Sequence, residues 1–190
     1  MSEQHKEECP YYDTQMALTK DEADKLKGPD VTISSEYDGI DTFAFKNRED
    51  IENVHINENI KTINIFAFQN CKKLRNITIP DGVDIIQSGT FWHCESLLNM
   101  KIPDSVTEVE ELAFYGCSSL TDIEIPNAVT IIHRLAFGGC YKLKDITIPN
   151  SETEIRAYAF CLCGDLVIRC RENSYAHEYA KEYGIVVKLI

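Results

Sequence analysis

One spacing, 23 residues, runs through most of this chain and constrains its fold more than any other feature. Phe45, Phe68, Phe91, Phe114, Phe137 and Phe160 fall at that interval, as do Cys71, Cys94, Cys117, Cys140 and Cys163. Leu74, Leu97, Leu120, Leu143 and Leu166 keep the same period, and so do Ile77, Met100, Ile123 and Ile146. A period of roughly 20 to 29 residues with Leu and Ile at fixed phase means a repeat solenoid, because one such unit cannot bury its apolar side alone and gains a core only by stacking on its neighbours. Six coils are expected.

Within one coil, two short extended stretches are expected, Ile123-Glu124-Ile125 and Val129-Thr130-Ile131-Ile132, with Asn127-Ala128 forming the corner after Ile125-Pro126. Ile79-Pro80, Ile102-Pro103 and Ile148-Pro149 mark the same place in other coils, where proline lacks the N–H that a ladder needs and so ends pairing. The remainder, Leu135 to Leu143, sets small residues beside one large aromatic and should close the coil as a tight turn or 3₁₀ segment.

Written across coils as L-x-x-I-x-I-P-x-x-V-x-x-I-x-x-x-A-F-x-x-C, the pattern resembles the BspA-like, treponemal type of leucine-rich repeat over about residues 33 to 168. The resemblance implies a right-handed leucine-rich-repeat superhelix of β/α type, mostly β, with short parallel strands on a concave side. It also implies a binding scaffold of the kind often found on bacterial or protozoan surfaces. Both ends of the array are degenerate. The first coil carries Ile56-Asn57 in place of Ile-Pro and Arg48 in place of Cys, and counting by phase puts Glu152 at the Val position and Arg169 at the Ile position of the sixth. Degenerate ends suit capping coils.

The flanks are expected to supply small helical caps. Residues 1–32 include Thr19-Lys20-Asp21-Glu22, a capping box, followed by Ala23, Leu26 and Gly28, which predicts one short helix. In residues 169–190, Asn173 or Ser174 could cap a helix with Tyr175, Ala176, Tyr179, Ala180 and Tyr183 on one face, ending at Gly184. Ile185 to Ile190 then reads as a closing strand over the sheet edge, and this ending also looks like the one common in the family.

The charge balance narrows the partners. Nineteen Lys and Arg against thirty-one Asp and Glu give a net charge of −12, which argues against a phosphate-binding surface and so against nucleic acid. No stretch approaches the roughly 18–20 consecutive apolar residues of a membrane span, so membrane insertion is not expected. Met1 to Glu8 is polar where a signal peptide needs an apolar run, making a cytoplasmic protein the default expectation. Secretion or display on a cell surface is the alternative if a leader was removed. A monomer without cofactor is expected.

The thiols are the first residues to test for chemistry. By phase the five repeated cysteines lie inside their coils beside Phe and Leu, where a neutral thiol packs as a small hydrophobe. Stacked side chains point in parallel instead of across a gap, so a reduced ladder is expected and not a disulfide framework. Cys161, Cys163 and Cys170 with His177 could form a zinc or redox site, but their spacing matches no standard zinc module. A nucleophile built on Trp92-His93-Cys94 fails because, with Cys94 inside, His93 should face outward, and spacing implies no partner for His133. Neither a Gly-rich phosphate loop nor G-x-S-x-G nor H-E-x-x-H occurs. An enzyme is not expected.

That leaves the outward residues of the concave strands. Alternation places Asn53 and His55, Asn76 and Thr78, Asn99 and Lys101, Asp122 and Glu124, and Asp145 and Thr147 on that face. One reading is a solvated surface whose Asn side chains bond from coil to coil. The other begins from Asp122, Glu124 and Asp145 on adjacent coils, where neighbouring like charges are unfavourable and call for a cation: Lys101, a calcium ion, or a basic group of a partner. The candidate binding patch is therefore Asn99, Lys101, Asp122, Glu124, Asp145 and Thr147. The expected function is a non-enzymatic scaffold for a protein or glycan, possible adhesion included. The alternatives are a purely structural module of a longer surface protein and a Cys-based redox or metal protein.

Overall fold

The computed structural model describes residues 16–98 and 100–190; Asn99 and residues 1–15, with Cys9 among them, lie outside the described residues. Along the chain the strands alternate between two sides of a coil. They are β1 (Ala17–Leu18), β2 (Asp30–Thr32), β3 (Gly39–Ile40), β4 (Asn53–His55), β5 (Thr62–Ile63), β6 (Asn76–Thr78), β7 (Ile85–Ile86) and β8 (Glu108–Val109). There follow β9 (Asp122–Glu124), β10 (Ile131–Ile132), β11 (Asp145–Ile148), β12 (Glu154–Ile155), β13 (Val167–Cys170) and β14 (Val186–Leu189). Every pairing is parallel. The longer strands form the front face in two blocks, β2-β4-β6 and β9-β11-β13-β14; the shorter ones form a second face, β1-β3-β5 and β7-β8-β10-β12.

Stacking completes about seven turns. The ladders run past residues 33 and 168 on both sides, since β1 pairs with β3, β2 with β4, and β14 with β13. In the front strands the central residue is buried and its neighbours face out, as with Ile77, Ile123 and Ile146. The second-face strands are shorter than the Val129-to-Ile132 stretch expected, with only Ile131–Ile132 paired.

The core is a set of like-on-like columns. Phe45, Phe68, Phe91, Phe114 and Phe137 are fully buried and stack face to face at 4.9–5.7 Å, with Phe160 ending the column. Each such ring contributes about 1.5–3 kcal/mol by burial alone. The segment that closes the coil is a run of tight turns: in one coil Ala136 N–H donates to His133 O at 3.2 Å and Leu143 N–H to Cys140 O at 3.0 Å.

These turns use two left-handed residues per coil. Phe43, Phe66, Gly89, Leu112, Leu135 and Tyr158 share one such position, and Asn47, Asn70, His93, Gly116, Gly139 and Leu162 the other. A left-handed conformation costs a residue with a Cβ on the order of 1 kcal/mol. The return is a third ladder. Asn47, Asn70, His93, Gly116 and Gly139 each donate their N–H to a carbonyl of the next coil at 2.7–2.8 Å, and Phe114 does the same to Ala136 O at 2.7 Å.

Both caps form. Helix α1 (Lys20–Ala23) is a single turn whose Glu22 carboxylate accepts the Thr19 N–H at 3.0 Å. Helix α2 (Tyr175–Tyr183) starts at Ser174, whose hydroxyl accepts the His177 N–H at 3.1 Å, and stops at left-handed Gly184. Ala176, Tyr179 and Ala180 are buried as expected, but Tyr175 faces solvent because the buried stripe is only one side chain wide at the first turn.

Two phase assignments at the degenerate end are corrected. β11 pairs with β13 one residue short of the full period, so Ile168 takes the inward Ile place and Arg169 lies beside Thr147 on the front face. One corner also lengthens, so that Thr153, fully buried with its hydroxyl donating to Val129 O at 2.7 Å, fills the Val place while Glu152 stays exposed.

Candidate functional site

Two rows of outward side chains run along the front face. One contains Asp30, Asn53, Asn76, Asp122, Asp145, Val167 and Val186; the other contains Thr32, His55, Thr78, Glu124, Thr147, Arg169 and Lys188. In the first block the amides satisfy one another: Asn76 Nδ2 donates to Asn53 Oδ1 at 2.7 Å, and Asn53 Nδ2 to Asp30 Oδ1 at 2.6 Å. This is the coil-to-coil amide ladder.

The acidic residues are handled unequally. Asp145 is held by two guanidinium nitrogens of Arg169, Nε at 2.5 Å and Nη2 at 2.6 Å, a bidentate pair about one-third exposed. The bond to Asp145 shifts the Arg169 pKa upward. Asp145 was expected to need Lys101, calcium or a partner, but its cation comes from the next coil, and the one-residue slip hid it from counting. Among the described residues, Asp122 and Glu124 form no ion pair, Asp122 accepting only the Thr121 hydroxyl at 3.0 Å. Nor does any group of three or more metal-binding side chains converge among the described residues, so the calcium reading finds no ligand set here.

Lys101, Asp122 and Glu124 line a groove of about 730 Å³ together with Met100, Ile123 and the corner residues Asp104 and Asn127. The structure thus brings together three of the six expected residues. Asp145 and Thr147 lie one coil further along the same rows, and Asn99 is outside the described residues. The corner residues keep an Asp or Asn after each Ile-Pro, at Asp81, Asp104, Asn127 and Asn150, which by sequence marks a turn former and not part of a groove.

One consequence is measurable. Asp122→Asn with Glu124→Gln should leave the melting temperature unchanged or slightly raised, whereas Asp145→Asn should lower it by leaving Arg169 beside Lys188 with no acid. Equal melting shifts in the two variants would contradict this division.

The thiols make no site. Cys71, Cys94, Cys117 and Cys140 are buried and unbridged, and each S–H donates to the carbonyl of a Phe in the coil before, at 3.0–3.2 Å. Burial pushes Cys71 up to about 12 and raises Cys94 and Cys117 as well; Cys140 is raised by its bond with Cys163 and by burial. Such thiols are poor nucleophiles. Cys163, expected inside, is only half-buried at the last turn, and burial raises Cys161 and Cys170 too. Dithiothreitol should leave the melting temperature unchanged, since no cross-link restrains the unfolded chain; a large drop on reduction would contradict the thiol ladder.

His93 and His133 are held by neighbouring coils. His93 packs on Trp92 and edge-on to Tyr115, lying across Gly116, where a Cβ would sit 2.5 Å from His93 Nδ1. Phe66 lies in the same way over Gly89. His133, for which spacing implied no partner, stands 3.4 Å from Glu108 Oε2 at a half-exposed position.

The comparisons agree with this architecture. The sequence profile of the BspA type leucine rich repeat region matches residues 38–167 in six copies. The chain belongs to the BspA-type leucine-rich repeat family. No curated protein matches it. Among solved structures, this BspA-type chain is similar to a leucine rich cell surface protein of Faecalibacterium prausnitzii, with 31% identity and a TM-score of 0.62 over 63% of the chain. It spans about a third, 32%, of that protein's length. The leucine rich repeat protein of T. pallidum matches at 23% identity and a TM-score of 0.67, covering 85% of this chain and 86% of that one. The pneumococcal vaccine antigen PcpA matches at 17% identity and a TM-score of 0.71, covering 86% of this chain and 42% of that one, a likeness of fold. No helix among the described residues is long and apolar enough to cross a membrane.

Proposed function

We propose that this repeat protein is a non-enzymatic binding scaffold, acting as a monomer on a cell surface, that presents its front face to a protein or glycan. One observation carries the reading: the groove at Lys101, Asp122 and Glu124 leaves its charges without ion-pair partners, while the coils on either side bond their polar side chains to each other. A surface that was only structural would gain by pairing these charges as it pairs Asp145 with Arg169. The two free carboxylates favour a partner that offers a basic group, with charge setting attraction and encounter rate more than identity. Surface display draws support from the cell surface protein and vaccine antigen among the similar structures.

The test is a binding screen against immobilised glycans and secreted proteins, at low and physiological salt. A variant carrying Lys101→Gln, Asp122→Asn and Glu124→Gln should keep the wild-type melting curve, lose affinity for any ligand found, and respond less to salt. Undiminished binding by the variant would place the site elsewhere. No binding by the wild type would favour a structural module.

A further inference from the structure

The ladders that stack the coils are interrupted in the middle of the solenoid, and on the second face at a single junction. β5 pairs with β3 and β7 with β8, but no ladder joins β5 to β7. On the front face β6 pairs with β4, while Met100 and Lys101, one period on, belong to no strand. The first interruption falls between the coil holding Thr62 to Thr78 and the coil holding Ile85 to Lys101; on the front face the gap lies on both sides of Met100 and Lys101, since β9 pairs only with β11.

Three further observations mark the same junction. The Leu98 N–H reaches Arg75 O at 3.5 Å, whereas the corresponding bonds from Arg75, Lys144 and Val167 are 2.8, 3.0 and 2.9 Å. Phe68 and Phe91 are the most widely spaced rings of the column, at 5.7 Å against 4.9–5.4 Å elsewhere. Among the described residues, buried polar atoms without a partner include Thr62 Oγ1 and Gln69 Oε1 on one side and Trp92 Nε1 on the other. Gln69 and Trp92 hold the same place in successive coils. The turn ladder stays intact across the junction, with Phe66 to Ser88 at 3.0 Å, Phe68 to Thr90 at 2.9 Å and Asn70 to Trp92 at 2.7 Å; the Ser96 N–H to Lys72 O at 3.1 Å and Gln87 Nε2 to Asn64 Oδ1 at 3.4 Å also cross it.

We propose that this junction is a hinge dividing the solenoid into two cooperative units, β1 to β6 and β7 to β14. An intact turn ladder beside two sheet faces without one lets the halves rotate about the turn edge, breaking only the isolated bonds outside that ladder, such as Leu98 to Arg75 and Gln87 to Asn64. Opening also hydrates polar groups that are desolvated and unpaired when the junction is closed, which lowers its cost. In a solenoid each interface is a separate nearest-neighbour term, so the weakest one decides where the array parts. Bending here changes the distance between the Asn53–Asn76 ladder and the Asp122–Glu124 groove. The inference does not depend on that groove binding anything.

Native-state hydrogen exchange of the full chain, resolved by peptide and repeated in rising urea, tests it. Amides of β4 and β6 should exchange as one group and those of β8 to β13 as another, differing by roughly tenfold or more, with the boundary between Thr78 and Ile85. A single rate and a shared urea dependence across β4 to β13 would overturn the hinge, as would a boundary at another junction. Thr62→Val, which removes an unpaired hydroxyl at nearly constant shape, should slow exchange of the first group. An unchanged rate would overturn the part assigned to that hydroxyl.

Discussion

Phe114→Ala should lower the unfolding free energy by about 3–5 kcal/mol, the largest loss expected of any single substitution here. Phe114 is fully buried and stacked between Phe91 at 5.4 Å and Phe137 at 5.0 Å. The cavity cannot collapse, because ladder bonds hold the coils above and below at a set spacing, including the 2.7 Å bond from the Phe114 N–H itself. Phe45 is just as buried but stacks on one phenylalanine, Phe68, so Phe45→Ala should cost less by about 1 kcal/mol, the worth of one ring pair. Urea melts followed by circular dichroism measure both. Equal losses would mean that the column contributes nothing beyond area burial.

Arg48→Met should cost about 2–3 kcal/mol, an unusual loss for a position that in other coils holds a small thiol. The guanidinium is nearly buried and ties three groups together. It donates to the carbonyls of Ala23 at 2.7 Å and Leu26 at 2.5 Å, and grips Asp50 at 2.7 and 2.8 Å. The first two bonds satisfy the C-terminal end of α1 and its following turn, so this arginine fastens the cap to the first repeat. Methionine keeps the stem and strands the acceptors.

The same substitution carries a pH signature. The Arg48 guanidinium holds the Asp50 carboxyl down at about 2, against about 3.9 in an unfolded chain. A depressed carboxyl stabilises the fold above the unfolded value, and that contribution is lost as pH falls through the folded one. The wild type should therefore lose stability between about pH 4 and pH 2 more steeply than Arg48→Met. Asp50 is nearly half exposed, so the difference is modest. Urea midpoints at pH 6, 4 and 2 compare the two, and parallel curves would sink the assignment.

Arg48 and Arg169 show how far counting by phase reaches. Both stand where the repeat breaks. At Arg48 the count is right and only the purpose is hidden, because its acceptors belong to residues more than twenty positions earlier. At Arg169 the count itself slips by one residue, and a slip of one moves every side chain of a strand to its other face. The candidate patch suffers accordingly: Asp145 looks like an unmet charge along the chain and is a satisfied one in space. His133 gains Glu108 without any slip, across strands in full register, because the two side chains meet two positions off the period.

What the sequence alone determined is everything that depends on periodic burial. Over the regular coils, a 23-residue interval carrying Phe, Cys, Leu and Ile dictates which side chains face inward, that the coils stack in parallel, and that Cys71, Cys94, Cys117 and Cys140 are buried, because these follow from which face must leave water. Only the tertiary structure decided which outward groups find each other, where the left-handed residues turn their N–H groups along the stack, how Phe66 and His93 settle over Gly89 and Gly116, and where the ladders break between β5 and β7. Burial is a property of one residue and its period, legible position by position. Hydrogen bonds, ion pairs and ladder continuity are properties of two residues at ångström separation, and a single inserted or missing residue is enough to reassign them.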